Sequence, residues 1–140
     1  MTERQALEKH YRATGYRART PRGAMSLRIG LESAALAALL AEYSAADWAF
    51  ISASNPRSVP APRADNEAAQ RRLLQRLRDC GAIVFSGEGI ADGDAWEPEH
   101  SYLALDIPRQ RALALAREFS QHAILAGRAG GPAELVWTRA

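Results

Sequence analysis

From Trp48 to Gly127 the chain alternates apolar runs of strand length with stretches of helical periodicity, in the order strand, helix, strand, strand, helix, strand. That order predicts an α+β domain with a ferredoxin-like βαββαβ core, the split βαβ arrangement. A second observation supports it: tight breakers, Gly81 and Ile107-Pro108, fall at one end of the predicted elements, and polar irregular sequence gathers at the other. An N-terminal helix, hairpin and helix and one extra C-terminal strand complete the architecture. The alternative is a doubly wound α/β sheet. Antiparallel pairing of Ala82 to Ser86 with Ser101 to Ile107 distinguishes the first from the second.

Taken in order, Thr2 is placed to cap a first helix whose stripe carries Ala6, Leu7, His10 and Tyr11 and which Gly15 is expected to end. Tyr16 to Thr20 and Ala24 to Ile29 flank Pro21-Arg22-Gly23 as a hairpin, with Met25, Leu27 and Ile29 alternating with polar residues. Ser33 caps a second helix bearing Leu36, Leu39, Leu40 and Tyr43 at helical spacing. Trp48, Phe50 and Ile51 form a buried strand that Asn55-Pro56 stops, because Pro56 has no N–H for a ladder. Asp65 is expected to cap the next helix, with Ala69, Leu73, Leu74, Leu77 and Cys80 inward and Gly81 beyond its end. Ala82 to Ser86 reads as strand. Gly87 to His100 is too polar and Gly-rich for regular structure and reads as the longest loop. Ser101 to Ile107, a helix opened by Pro108, His122 to Gly127 and Ala133 to Thr138 finish the chain, the last two as hairpin partners.

A chain of 140 residues without repeat or linker is expected to form one domain, 1–140, large enough to bury a core unaided. The net charge of +2, carried by arginines with Lys9 the sole lysine, is too slight to mark a nucleic-acid binder. The lone Cys80 excludes an internal disulfide and suits a reducing compartment. The N-terminus has no apolar signal core, and the longest apolar run, Ala34 to Ala41, is too short to span a bilayer. A soluble, cytoplasmic protein with no membrane partner is the expectation, and a homo-oligomer is compatible with it.

If the crossovers are right-handed, the end of the first core strand, the start of its helix, the Gly87 to His100 loop and the approach to the last core strand share one end of the sheet. Asn55, Asn66 and Gln121 would bring amides there, Ser58 a hydroxyl, Trp96 a stacking platform or an apolar plug, and Glu99 a carboxylate. Glu99 and His122 are the candidate catalytic pair, close enough to act as general base and partner under that end assignment. Structural readings compete for each residue, since Asn before Pro and Asn at a helix start are also common turn devices. Gly87-Glu88-Gly89 is too short for a phosphate fingerprint. The acidic residues around it match no calcium loop, so neither metal nor cofactor is expected. No Ser-His-Asp or Cys-His nucleophile is legible.

Phe50-Ile51-Ser52-Ala53, Asn55-Pro56-x-Ser58, Asn66, Gly87-x-Gly89, Trp96-x-x-Glu99-x-Ser101 and Phe119-x-Gln121-x-Ala123-Ile124 together resemble the bacterial family called domain of unknown function 3293, over roughly Tyr11 to Gly127. The resemblance implies a shared fold and a shared site without naming a reaction. Ser120 stands where Gly is expected, and Ser54 where a larger residue is usual. Three function classes follow. The first is a small-ligand-binding domain for a nucleotide or related polar metabolite, the second an assembly module that pairs the Ala133 to Thr138 edge, and the third a hydrolase-type enzyme using Glu99 and His122.

Overall fold

Thr2 and Gln5 form a reciprocal capping box, with the Gln5 amide donating to Thr2 Oγ1 at 3.1 Å and the Thr2 amide to Gln5 Oε1 at 2.8 Å. This opens α1 (Glu3–Arg12) in a computed structural model that describes residues 1–93 and 97–139. The helix stops at Arg12, short of Gly15, which lies within β1 (Thr14–Thr20). The cause is sheet pairing that begins at Thr14, opposite Ala91. β1 turns through Gly23, at φ +98°, into β2 (Gly23–Leu27) as the hairpin pattern predicts. Ser33 accepts the Leu36 amide at 3.1 Å and caps α2 (Ala34–Glu42). β3 (Asp47–Ile51) leads through a short 3-10 turn (Pro56–Ser58) to α3 (Arg63–Asp79).

α3 starts two residues before the expected cap. Pro62 occupies that place, and Asp65 sits in the first turn, where its negative charge complements the helix dipole. Gly81, at φ +81°, ends the helix as expected. The larger departure is β4 (Ile83–Ala91), which runs through Gly87 and Gly89 into the region read as loop and pairs with β5 (Glu99–Leu105). A second partner explains it: residues 87–91 also pair with β1. A Cβ on Gly87 would lie 2.5 Å from the Arg17 carbonyl, so the glycine permits strand contact there instead of breaking the strand. α4 (Arg109–Glu118), with Pro108 at its cap, precedes β6 (Ala123–Arg128) and β7 (Glu134–Trp137).

The described residues thus form an α+β architecture of four α-helices and one seven-stranded sheet in the order β2–β1–β4–β5–β3–β6–β7. Every ladder is antiparallel, including β4 with β5, so the doubly wound parallel alternative is not formed. Beyond the two edge strands, a parallel bridge joins Ile29 to Ala133, with Gly30 N–H donating to the Ala133 carbonyl at 2.7 Å, and draws the edges of the sheet together.

Core packs on both faces. Trp48 and Phe50 face a cluster with Leu36, Leu39, Leu40, Leu103 and Leu105 under α2, whereas Ala49 and Ile51 face Leu73, Leu77 and Leu115 of α3 and α4. β3 is central and covered on both sides, which is why its sequence is continuously apolar rather than alternating. Leu73 and Leu77 are fully buried, and truncating either to Ala is expected to cost about 2–5 kcal/mol. Among the described residues no helix is long and apolar enough to cross a membrane.

Candidate functional site

The end of β3, the start of α3, the start of β5 and the turn between α4 and β6 meet at one end of the sheet. Backbone strain concentrates there: Asn55, Arg57 and Ser58 have φ of 47°, 59° and 62°, and Ser120 across the turn has φ 55°. Left-handed conformations cost L-residues roughly 1–2 kcal/mol each and persist only where surrounding bonds enforce them. The bonds are present. Arg57 N–H donates to the Ser120 carbonyl at 2.8 Å, and Gln121 Nε2 donates to the Ser54 carbonyl at 3.0 Å.

Asn55 and Asn66 lock together. Asn66 Oδ1 accepts the Asn55 amide at 2.8 Å, while Asn55 Oδ1 accepts both Asn66 Nδ2 at 2.8 Å and the Ala61 amide at 3.1 Å. Because backbone N–H groups can only donate, both side-chain amides have a determined orientation. Asn55 Oδ1 is therefore committed, and its Nδ2 is left for the carboxylate beside it, Glu99.

Glu99 is the first residue of β5, opposite Gly89. By strand alternation it shares the face that carries Leu103 and Leu105 further along, the face on which Tyr16 and Phe50 also pack. Burial raises its carboxyl pKa above the usual value, with the Ser52 and Asn55 side chains beside it pulling the other way. The phenols of Tyr11 and Tyr16 are raised as well, first by burial; Ser58 hydrogen-bonds Tyr11 and opposes its shift, and the Glu99 charge adds to both. α1 lies across this end. Tyr11 meets Trp137 edge-on at 5.9 Å, Tyr16 donates its hydroxyl to the Tyr11 carbonyl at 3.1 Å, and the Arg4 guanidinium sits 4.3 Å from the Trp137 ring centre.

Asn55, Ser58, Asn66, Glu99 and Gln121 thus gather at one end of the sheet. Trp96 lies outside the described residues. His122 does not join the group through its side chain: among the described residues no hydrogen bond or ion pair links it to Glu99, and its buried Nε2 has no hydrogen-bond partner. Its backbone carbonyl accepts Thr138 N–H at 2.9 Å, tying β7 to the turn.

Two contributors were not anticipated as site residues. Tyr11 reads as one more residue of an amphipathic stripe. Gln70, on α3, is 3% exposed and spans the site from behind, its Nε2 donating to Ser54 Oγ at 2.8 Å, to Ser52 Oγ at 3.2 Å and to the His100 carbonyl, its Oε1 accepting the Ala53 amide at 3.2 Å. A signal existed: Gln70 is four residues after Asn66 and three before Leu73, on the inward stripe of α3, and a polar side chain there must be paired. Two cavities lie elsewhere, one beside α2 and one between Arg72 and Phe119.

The fold and this cluster define an antiparallel α+β domain with a half-buried carboxylate, ringed by amide and hydroxyl groups, at one end of its sheet. A family described as a protein of unknown function, DUF3293, has a model that matches residues 51–124, and the chain belongs to that family. The matched segment runs from the end of β3 into β6 and includes Asn55, Ser58, Asn66, Glu99, Gln121 and His122; Tyr11 and α1 lie before it. No curated protein matches the chain, and no solved structure does.

Proposed function

We propose that this domain binds a small polar molecule, a nucleotide or a related metabolite, at the loop end of the sheet, with Glu99 accepting a ligand hydroxyl or amine proton. The observation that carries the reading is the partial burial of Glu99 beside Asn55 Nδ2, Ser58 and the Tyr11 phenol, groups that internal hydrogen bonds leave with capacity to spare. Asn66, Gln121 and Gln70 are positioning residues in this account. They spend their amides on the Asn55 side chain, the Ser52 and Ser54 hydroxyls, the His100 carbonyl and the backbone at Ala53, Ser54 and Asn55, and so fix the strained turn beside Glu99.

The four strands of the βαββαβ segment lie in the order β4–β5–β3–β6, which supports a ferredoxin-like reading of the core with the site at its polar end. Binding is favoured over hydrolysis because Glu99 and His122, the pair a hydrolase would need, are not hydrogen-bonded to each other. It is favoured over edge pairing because β7 is only four residues long and its Trp137 is covered by Arg4 and Tyr11. The lone Cys80, half-buried and unbridged, fits a cytoplasmic setting.

A thermal-shift screen of nucleosides, nucleotides, sugars and amino acids against the protein and its Glu99→Gln variant tests the proposal. A compound at about 100 times its Kd should add about 2.7 kcal/mol to the wild type, with most of the gain lost in the variant. A hit that stabilises both equally overturns the role of Glu99.

A further inference from the structure

Glu99, half-buried at the start of β5, ends a row of residues that crosses three strands on one face of the sheet: Tyr16 of β1 lies opposite Gly89 of β4, and Gly89 lies opposite Glu99. Glycine leaves the middle of that row without a side chain, and the Tyr16 ring leans over it, since a Cβ at position 89 would stand 3.6 Å from Tyr16 Cε1. Only this bare strip of β4 separates carboxylate from phenol, with about two strand spacings, ~9.5 Å, between their backbones. Tyr11 of α1, and Ser52 and Asn55 from the turn after β3, complete the surroundings.

Neither charge nor hydrogen-bonding capacity balances there. No salt bridge among the described residues reaches Glu99, and the phenols, the hydroxyl and the amide beside it are neutral. Arg28, whose charge reaches Tyr16, is held by both oxygens of Asp92 at 2.8 and 3.2 Å. A carboxylate drawn out of water ordinarily has a cation beside it. Donors are short as well. The Tyr16 hydroxyl gives its proton to the Tyr11 carbonyl at 3.1 Å and the Ser52 hydroxyl gives its own to the His100 carbonyl at 2.8 Å, so Tyr16 Oη keeps free lone pairs and Glu99 is left with Asn55 Nδ2. A primary ammonium group supplies a positive charge and N–H donors and brings no acceptor. The aromatic groups of this end already receive a cation: the Arg4 guanidinium stands 4.3 Å from the centre of the Trp137 ring, which Tyr11 meets edge-on. We propose that the ligand of the loop-end site is a primary amine in its ammonium form, which donates to the Glu99 carboxylate and to the Tyr16 and Tyr11 oxygens. The inference rests on the loop-end reading above and narrows its polar metabolite to an amine. Among the described residues no three acidic, histidine or cysteine side chains gather to hold a metal ion in its place.

The test is an NMR titration of the full chain at neutral pH with methylammonium and with putrescine, following the Glu99 carboxyl carbon and the Asn55 side-chain amide. Butanediol, which lacks the charge, and tetramethylammonium, which lacks the N–H donors, are the comparisons. Both amines should give saturable shifts with a Kd on the order of 1 mM, and both comparison compounds should bind at least about tenfold more weakly. Glu99→Gln should weaken putrescine at least about tenfold, and Tyr11→Phe about threefold. The comparison of ligands on the wild-type chain decides the matter even if a variant folds poorly. Equal binding of butanediol or of tetramethylammonium at Glu99 overturns the proposal, as does the absence of a saturable shift with either amine at about 100 times the expected Kd. A neutral or anionic compound from the thermal-shift screen that seats at Glu99 where the amines do not overturns the amine and leaves the loop-end reading standing. If the amines and every screened compound leave Glu99 silent, both fall.

Discussion

Replacing Gln70 by Leu isolates the contribution of the polar clasp behind the site, because the two side chains are close in volume and the exchange opens no large cavity. Gln70 is buried, and its Oε1 is the acceptor for the Ala53 amide, on a residue with no exposed surface. Leucine orphans that N–H at about 1–3 kcal/mol and forfeits the bonds to Ser52 Oγ, Ser54 Oγ and the His100 carbonyl at about 0.5–1.5 kcal/mol each. Two of those losses are softened. The His100 carbonyl retains the Ser52 hydroxyl at 2.8 Å, and Ser54 Oγ can rotate its proton toward another acceptor. The net expectation is roughly 3 kcal/mol, or about 10 °C in Tm for a domain of this length. Urea unfolding followed by far-UV circular dichroism measures it, with the slope unchanged. A loss below about 1 kcal/mol would show that the clasp is not what fixes this end of β3.

Other perturbations read other parts of the same end. Burial holds the folded-state pKa of Glu99 above its unfolded value, so its ionisation opposes folding; the cost is absent at acid pH, grows as pH rises through the unfolded carboxyl range, and is complete above the folded pKa. Glu99→Gln should therefore gain stability relative to wild type between pH 4 and neutrality, as read by parallel urea melts, and a difference that stays constant with pH contradicts the burial of this carboxylate. Ser120→Gly should stabilise by about 0.5–1 kcal/mol in thermal melts, because it relieves a left-handed backbone at φ 55° while loosening the unfolded chain. Gly87→Ala should cost about 3 kcal/mol by the same measurement, since its methyl group would press on the Arg17 carbonyl and the Phe50 ring between β1 and β4.

The legible parts of this fold were those whose causes are local. The Thr2 and Ser33 caps, the stop at Gly81, the Gly23 turn and the apolar β3 each follow from a few adjacent residues, and the order of elements followed from their periodicities. The misread parts depend on partners distant in sequence. Gly87-Glu88-Gly89 looks like loop until β1 lies beside it, at which point the missing side chains become the condition for pairing. Gly15 looks like a helix stop for the same reason.

The site divides in the same way. Asn55 and Asn66 were visible as polar groups at the edges of regular elements, but their mutual lock depends on a left-handed turn that Asn-Pro alone does not announce. Gln70 was hidden because it sits among arginines on a helix whose outward face is polar. The resemblance at Ser120 carried physical content: the residue expected there, Gly, is the one that the observed φ favours.

A ligand seated at Glu99 is what the proposed function requires, and chemical-shift mapping with a compound taken from the thermal-shift screen addresses it directly. Saturable changes are expected at the backbone amides of Asn55, Arg57 and Ser58, at the Asn55 side-chain amide and at Glu99 and His100, with the same resonances unresponsive in Glu99→Gln. Changes gathered instead around Arg72, Arg76 and Phe119, the groove between α3 and α4, with Asn55 and Glu99 silent, would contradict it.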